Sequence, residues 1–273
     1  MKHYIWILLL LFFACKKEPE GARISIRQQP SVIALSSLDV VSGLEVPVFS
    51  FLYAFNVSSG RFDSIVTSTY GSSASSYVFD YAQLNSRQKI VLNFIDSSSV
   101  FSELVFDNAN YTLTDYTSYT PLQTPKGYKL QYDAYARLKR YDFNSAIVAE
   151  NYFRGYSYHD DTILVNSQRA SDNCFSNDTI LSSSYNLDYR IPYLFLIELG
   201  VAQHCGSAVF SLLSALPLSN FVYKLPRSIV SGNIRTEYAY SGDQEGRLIG
   251  INIIRKAVDA NQILNQYKVS ISY

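Results

Sequence analysis

The chain has 273 residues, with 23 basic side chains against 23 acidic ones, 23 Tyr and 16 Phe beside a single Trp. So even a charge excludes nucleic acid as the natural partner, because that binding is dominated by phosphate neutralisation. So aromatic a composition excludes disorder, and its Tyr, Phe, Thr, Val and Ile favour strands.

The first element is an export signal. Lys2 is followed by an unbroken apolar run from Tyr4 to Phe13, then the small residue Ala14, then Cys15. The run falls short of the roughly 20 apolar residues that a spanning helix needs. A cationic start, a short apolar stretch and a small residue before the cut describe a cleaved signal instead. The arrangement resembles a bacterial lipoprotein signal over residues 1–14, with Cys15 as the lipidated new N-terminus. The plainer reading is an ordinary secretory signal that contains a cysteine. Two or more acyl chains on Cys15 hold a protein stably on a membrane. The charged stretch Lys16–Gly21 lacks an apolar face and reads as a solvated tether, which we place over residues 15–30.

The body, residues 31–273, reads as one domain of strand-turn-strand units. The first is Phe49–Phe55, a polar turn ending at Gly60, and Phe62–Val66. Further units follow at Tyr77–Leu92, Leu104–Leu113, Tyr128–Tyr141, Tyr156–Leu164 and Tyr238–Ile249. Alternating residues around a polar turn mark a hairpin. The residues opening the second strands, Arg61, Arg87, Tyr111, Arg137 and Thr162, recur at intervals of about 25, within the range of repeat architectures. One hairpin cannot bury its own apolar face, so neighbours must join into one sheet. The expectation is a mainly β fold: an antiparallel meander of hairpin repeats forming a curved sheet or open barrel, bent by the right-handed twist of strands.

Two units carry a motif, Tyr132-Asp133 with Arg137-Leu138, and Tyr238-Ala-Tyr240 with Gly246-Arg247-Leu248. This resembles the YD-repeat pattern. With the signal and the unit layout, the chain is similar to the Bacteroidota lipoprotein domain-of-unknown-function family numbered 4595. The resemblance covers residues 45–273 and implies a β-sheet fold and an outer-membrane address. It implies no activity and no catalytic residues.

Between Tyr189 and Pro226 the alternation stops. Pro192–Gly200 and Gly206–Leu216 are apolar with helical spacing, so a short helical insert is expected at about 192–217, packed on one face of the sheet. Lining a ligand pocket is its alternative role. The mature cysteines besides Cys15 are Cys174 and Cys205. In an oxidising compartment these pair as a disulfide or stand as buried thiols.

Reactive constellations are scarce. His3 leaves with the signal, and His159 and His204 are too few for a zinc site. Cys205 follows His204 directly, so the two side chains point in different directions. No Gly-x-Ser-x-Gly elbow occurs, and Gly242 and Gly246 sit where a hairpin turn needs positive φ. Asp172–Asp178 offers oxygens for calcium but reads as a solvated loop. Tyr at alternate strand positions forms rows whose main role is cross-strand pairing. No cofactor and no metal are expected. The reading is a lipid-anchored envelope protein, facing the periplasm or the outside, that binds a glycan or a protein rather than catalysing a reaction. Its rivals are a glycan hydrolase using paired carboxylates and a structural part of the envelope whose sheet edges are taken by another chain.

Overall fold

The computed structural model describes residues 30–55, 62–71, 74–84, 87–94, 100–107, 112–119, 126–135, 137–145, 151–169, 174–186, 224–244 and 247–273. These form sixteen strands: β1 (Val32–Leu38), β2 (Glu45–Phe55), β3 (Phe62–Thr69), β4 (Ser75–Leu84), β5 (Arg87–Phe94), β6 (Val100–Asp107), β7 (Thr112–Ser118), β8 (Lys126–Tyr132), β9 (Leu138–Asn144), β10 (Tyr152–His159), β11 (Thr162–Arg169), β12 (Phe175–Asn186), β13 (Lys224–Ser231), β14 (Ile234–Gly242), β15 (Leu248–Ala257) and β16 (Ile263–Ser272).

Each strand pairs antiparallel with the next, which is the expected meander of hairpins. The sheet goes one step past a curved sheet or open barrel. β1 pairs with β2 on one side and with β16 on the other, from Val32 opposite Ser272 to Leu38 opposite Gln266, and this ladder closes a barrel. Bulges such as those at Leu35/Ser36 and Ser241/Gly242 add bend and twist that help the closure. No helix occurs among the described residues, and the helical insert expected at 192–217 lies outside them.

Alternation places one side chain in two on each face. Residues shielded from water come from strands all around the ring, and in a single closed sheet that face is the inner one. It carries Ile33, Phe51, Ile65, Phe79, Leu104, Tyr116, Tyr141, Ile180 and Ile253 among others. Aromatic rings run along it in sequence: Tyr116 to Tyr128 at 5.7 Å, Tyr128 to Tyr141 at 6.0 Å, and Tyr141 to Tyr156 at 6.3 Å between centroids. Such spacings are those of favourable ring pairs. The outer face carries Asp80, Lys129, Gln131, Lys139 and Asn252.

The barrel has two rims. Pro30, Tyr273 and the turns after β8, β10 and β14 lie at one, the terminal rim. The turns after β1, β3, β13 and β15 lie at the other, the far rim.

Candidate functional site

The Tyr-Asp-Arg-Leu motif is the first place to look for function, and the structure makes it a lock on the terminal rim. Asp133 donates its backbone N–H to the Arg137 carbonyl at 2.9 Å, and its Oδ1 accepts the backbone N–H groups of Tyr135 and Arg137, each at 2.9 Å. Arg137 Nε donates to Asp133 Oδ2 at 2.7 Å. The second copy repeats this: Asp243 N–H to Arg247 O at 2.9 Å, Arg247 N–H to Asp243 Oδ1 at 2.9 Å, and Arg247 Nε to Asp243 Oδ2 at 2.7 Å. In both, a tyrosine from the next hairpin lies against the guanidinium. Tyr158 sits 4.2 Å from Arg137, and the last residue, Tyr273, sits 5.1 Å from Arg247. Burial pushes the Asp133 carboxyl up, but the N–H groups and guanidinium of Arg137, with the Tyr135 N–H, outweigh it and hold the pKa below 3.8.

The motif tyrosines have a further task. The ladders β7–β8, β9–β10 and β13–β14 each pair only four residues, all towards the far rim. Towards the terminal rim these strands part. There the Tyr132 hydroxyl donates to Leu113 O at 2.8 Å, the Tyr158 hydroxyl to Leu138 O at 2.6 Å, and the Tyr240 hydroxyl to Pro226 O. Each hydroxyl takes the place of a missing ladder N–H. Burial raises the pKa of all three phenols. Gly242 differs from expectation: its φ is not positive, and a Cβ there would meet the Arg247 carbonyl at 3.4 Å.

A groove on the outer face is the second candidate. The row Leu181 (β12), Ser228 (β13), Glu237 (β14) and Ile254 (β15) crosses four strands in register. Pro226 has no N–H to donate, and Arg227 is bulged, since Leu181 faces Ser228 while Ser182 faces Pro226. β13 and β14 therefore separate beyond Ser228, and an open groove of about 460 Å³ forms over the gap. Arg227, Arg235, Glu237, Ala239 and Asn252 also line it. Ser228 and Ala239 are small, which keeps the floor low. Glu237, the carboxylate that lines the groove among the described residues, accepts from Lys256 Nζ at 2.6 Å and is thereby matched. Asp161, whose carboxyl is held down mainly by the Lys224 ammonium at 2.6 Å and more weakly by Arg227, stands nearby. Neither Arg227 nor Arg235 hydrogen-bonds to a carboxylate among the described residues.

Other expected residues are dispersed. Cys174, at the far rim just before β12, is disulfide-bonded. Cys15, His204 and Cys205 lie outside the described residues. His159 is exposed at the end of β10, where Asp160 takes a φ of 44° in the tight turn, a conformation Asp tolerates. Among the described residues no three His, Cys, Asp or Glu side chains gather as a metal would require. Asn177 and Asp178 are not in a solvated loop: they belong to β12, and Asp178 is 1% exposed on the inner face. The sequence reading missed the groove. Its available signal was a proline inside a strand pattern, which marks an edge or a bulge, next to an arginine.

No family model and no curated protein matches the chain. Among solved structures it is similar to a porin-like protein from Bacteroides uniformis ATCC 8492, with 14% identity over 89% of this chain and 96% of that one, at a TM-score of 0.63. A porin-like protein from Bacteroides vulgatus ATCC 8482 is 12% identical over 88% of this chain and 97% of that one, at a TM-score of 0.30. The TcdB2-TccC3 protein without its hypervariable C-terminal region is 8% identical over 86% of this chain and 11% of that one, at 0.38. The first of these similarities shows that the two chains share a fold.

Proposed function

We propose that this is a lipid-anchored protein of the bacterial outer membrane, of the numbered lipoprotein family named above, that binds a glycan or protein partner without transforming it. The observation that carries the binding reading is the groove over β12–β15, open, rimmed by Arg227 and Arg235, and lined by apolar as well as polar side chains. Among the described residues Glu237 is the acid that lines it, without the facing partner that glycoside hydrolysis uses, so the binding reading is preferred to the hydrolase one. The edge-pairing route to an assembly role also loses its support, because every described strand has a neighbour on both sides.

The anchor reading draws on the faces of the barrel. A transmembrane barrel turns apolar residues outward to lipid and polar ones inward. Here the inner face is largely aromatic and aliphatic, and the outer face mixes charged and amide side chains with exposed apolar ones such as Leu52, Val78 and Leu164. That favours attachment through Cys15 over insertion of the strands. The disulfide at Cys174 is in keeping with an oxidising compartment, and we take Cys205 as its partner. Mass spectrometry of the mature protein is expected to find an acylated Cys15, and Cys15→Ser to release the protein from membranes. An unmodified Cys15, or a Cys15→Ser protein that stays membrane-embedded, overturns the anchor. A glycan-array and pull-down screen that returns no ligand overturns the binding reading.

A further inference from the structure

We infer that the groove over β12–β15 holds a polyanionic glycan chain, gripped by Arg227 and Arg235. The inference rests on the binding reading above and names its ligand class and site. Arg227 enters the outer face at the bulge beside Ser228, opposite Glu237. Arg235 faces Val230, three residues further along β13. The two guanidinium stems are thus roughly 10 Å apart along the strand direction, at the two ends of the groove.

The charge is left over for a ligand. Glu237 is matched by Lys256, and Asp161 by Lys224. Among the described residues neither Arg227 nor Arg235 forms a hydrogen bond or ion pair with a carboxylate, and Arg227 acts on Asp161 only as its weakest neighbour. A planar guanidinium binds a carboxylate or sulfate through two parallel N–H donors. Two of them at that separation suit acid groups spaced along a polymer better than one small anion. Between them the groove offers the Asn252 amide and the Ser228 hydroxyl for sugar hydroxyls, and Ile254, Leu181 and Ala239 as apolar surface for sugar ring faces. An extended acidic peptide is the weaker fit. Peptides commonly dock by adding a strand to a free edge, and this closed sheet offers none.

The test is affinity electrophoresis and calorimetry of the full mature chain against polygalacturonate, dextran sulfate, neutral dextran and polyglutamate. The expected result is binding to polygalacturonate or dextran sulfate, the two arms telling carboxylate from sulfate, and none to dextran. Arg227→Gln with Arg235→Gln is expected to weaken that binding at least tenfold with an unchanged melting temperature, because both side chains are exposed. Raising the salt is expected to weaken the native protein's binding in the same direction. Equal binding of polyglutamate, or undiminished binding by the double variant, overturns the inference. If a neutral glycan or a protein is captured and the double variant holds it equally well, the inference falls while the binding reading stands. If nothing is captured by any route, both fall.

Discussion

The two rims of the barrel solve the same problem with different chemistry. At the terminal rim, strands that have parted are held by side chains: Asp133 and Asp243 wrap their turns, Arg137 and Arg247 close them, and Tyr132, Tyr158 and Tyr240 bridge the gaps. At the far rim left-handed backbone does more of the turning, although Asp39 Oδ1 also wraps the turn after β1 by accepting the N–H groups of Val41 and Ser42. Gly43, Gly71, Gly232 and Asn261 take φ of 70°, 78°, 54° and 49° there. The inner faces differ as well. In β6, β10, β11, β12, β13 and β14, the fully buried residue nearest the far rim is a polar one: Ser102, Arg154, Ser167, Asp178, Ser231 and Thr236. Arg154 Nε donates to Ser167 Oγ at 2.9 Å. On these six strands the far end thus forms a partial polar collar beside the aromatics Tyr77 and Phe143, while Tyr132, Tyr158 and Tyr240 line the other end. The lesson is that side-chain locks let a ladder split, and the groove lies over one such split, at β13–β14.

The comparison is broken most severely from between the rims. Tyr141 touches the rings of Tyr128, Tyr152 and Tyr156 and faces Arg154 at 5.8 Å. Tyr141→Ala is expected to cost about 3–5 kcal/mol in urea unfolding, and a loss below 1 kcal/mol would show that the aromatic row does not join the ends. In the collar, Arg154→Met strips the buried Ser167 hydroxyl of its donor and is expected to cost about 2 kcal/mol. The turns compare directly. Gly232→Ala forces a side chain into left-handed backbone, at about 1–2 kcal/mol, whereas Tyr158→Phe removes one hydroxyl bridge, at about 1 kcal/mol. A reversed order in matched thermal melts would mean that the tyrosine bridge outweighs the glycine turn.

pH separates the contributions further. Burial disfavours the phenolate and raises the phenols of Tyr132, Tyr158 and Tyr240 above the ordinary tyrosine value of 10.0. Their share of stability is therefore complete below about pH 10 and is lost as the pH climbs beyond it. Asp133 works in the opposite sense. Its folded pKa lies below 3.8, so its share is complete above that value and is lost as the pH falls below it. Urea midpoints across pH are expected to fall at both limits. The triple change of Tyr132, Tyr158 and Tyr240 to Phe is expected to lower stability throughout and to shrink the alkaline limb, which Tyr53 and Tyr238 still supply, while leaving the acid limb in place. The smallest effect is expected at Val41, 96% exposed in the far-rim turn after β1. Val41→Ser should shift stability by no more than about 0.5 kcal/mol, and a larger loss would mean that this turn is covered.

Much of the fold was legible because strand alternation and hairpin turns are local. The units at Tyr128–Tyr141, Tyr156–Leu164 and Tyr238–Ile249 became β8–β9, β10–β11 and β14–β15. Strands read as loop escaped where polar residues stood at inward positions. Asp178, flanked by Asn177 and Ser176, looked like a solvated turn, yet it belongs to the collar. The groove was hidden for another reason: Arg227 and Arg235 become neighbours across a bulge, and one bulge moves a side chain from one face to the other.

By itself the sequence determined the strand class, the hairpin units, the Asp–Arg turns and the candidate anchor Cys15, because each depends on residues within one hairpin or one short run. Only the tertiary structure decided that β16 returns to β1, that the tyrosines face inward, and that the arginines of the groove share one surface. Those outcomes depend on pairing between residues as distant as Val32 and Ser272, and no local pattern specifies which strand edges will meet.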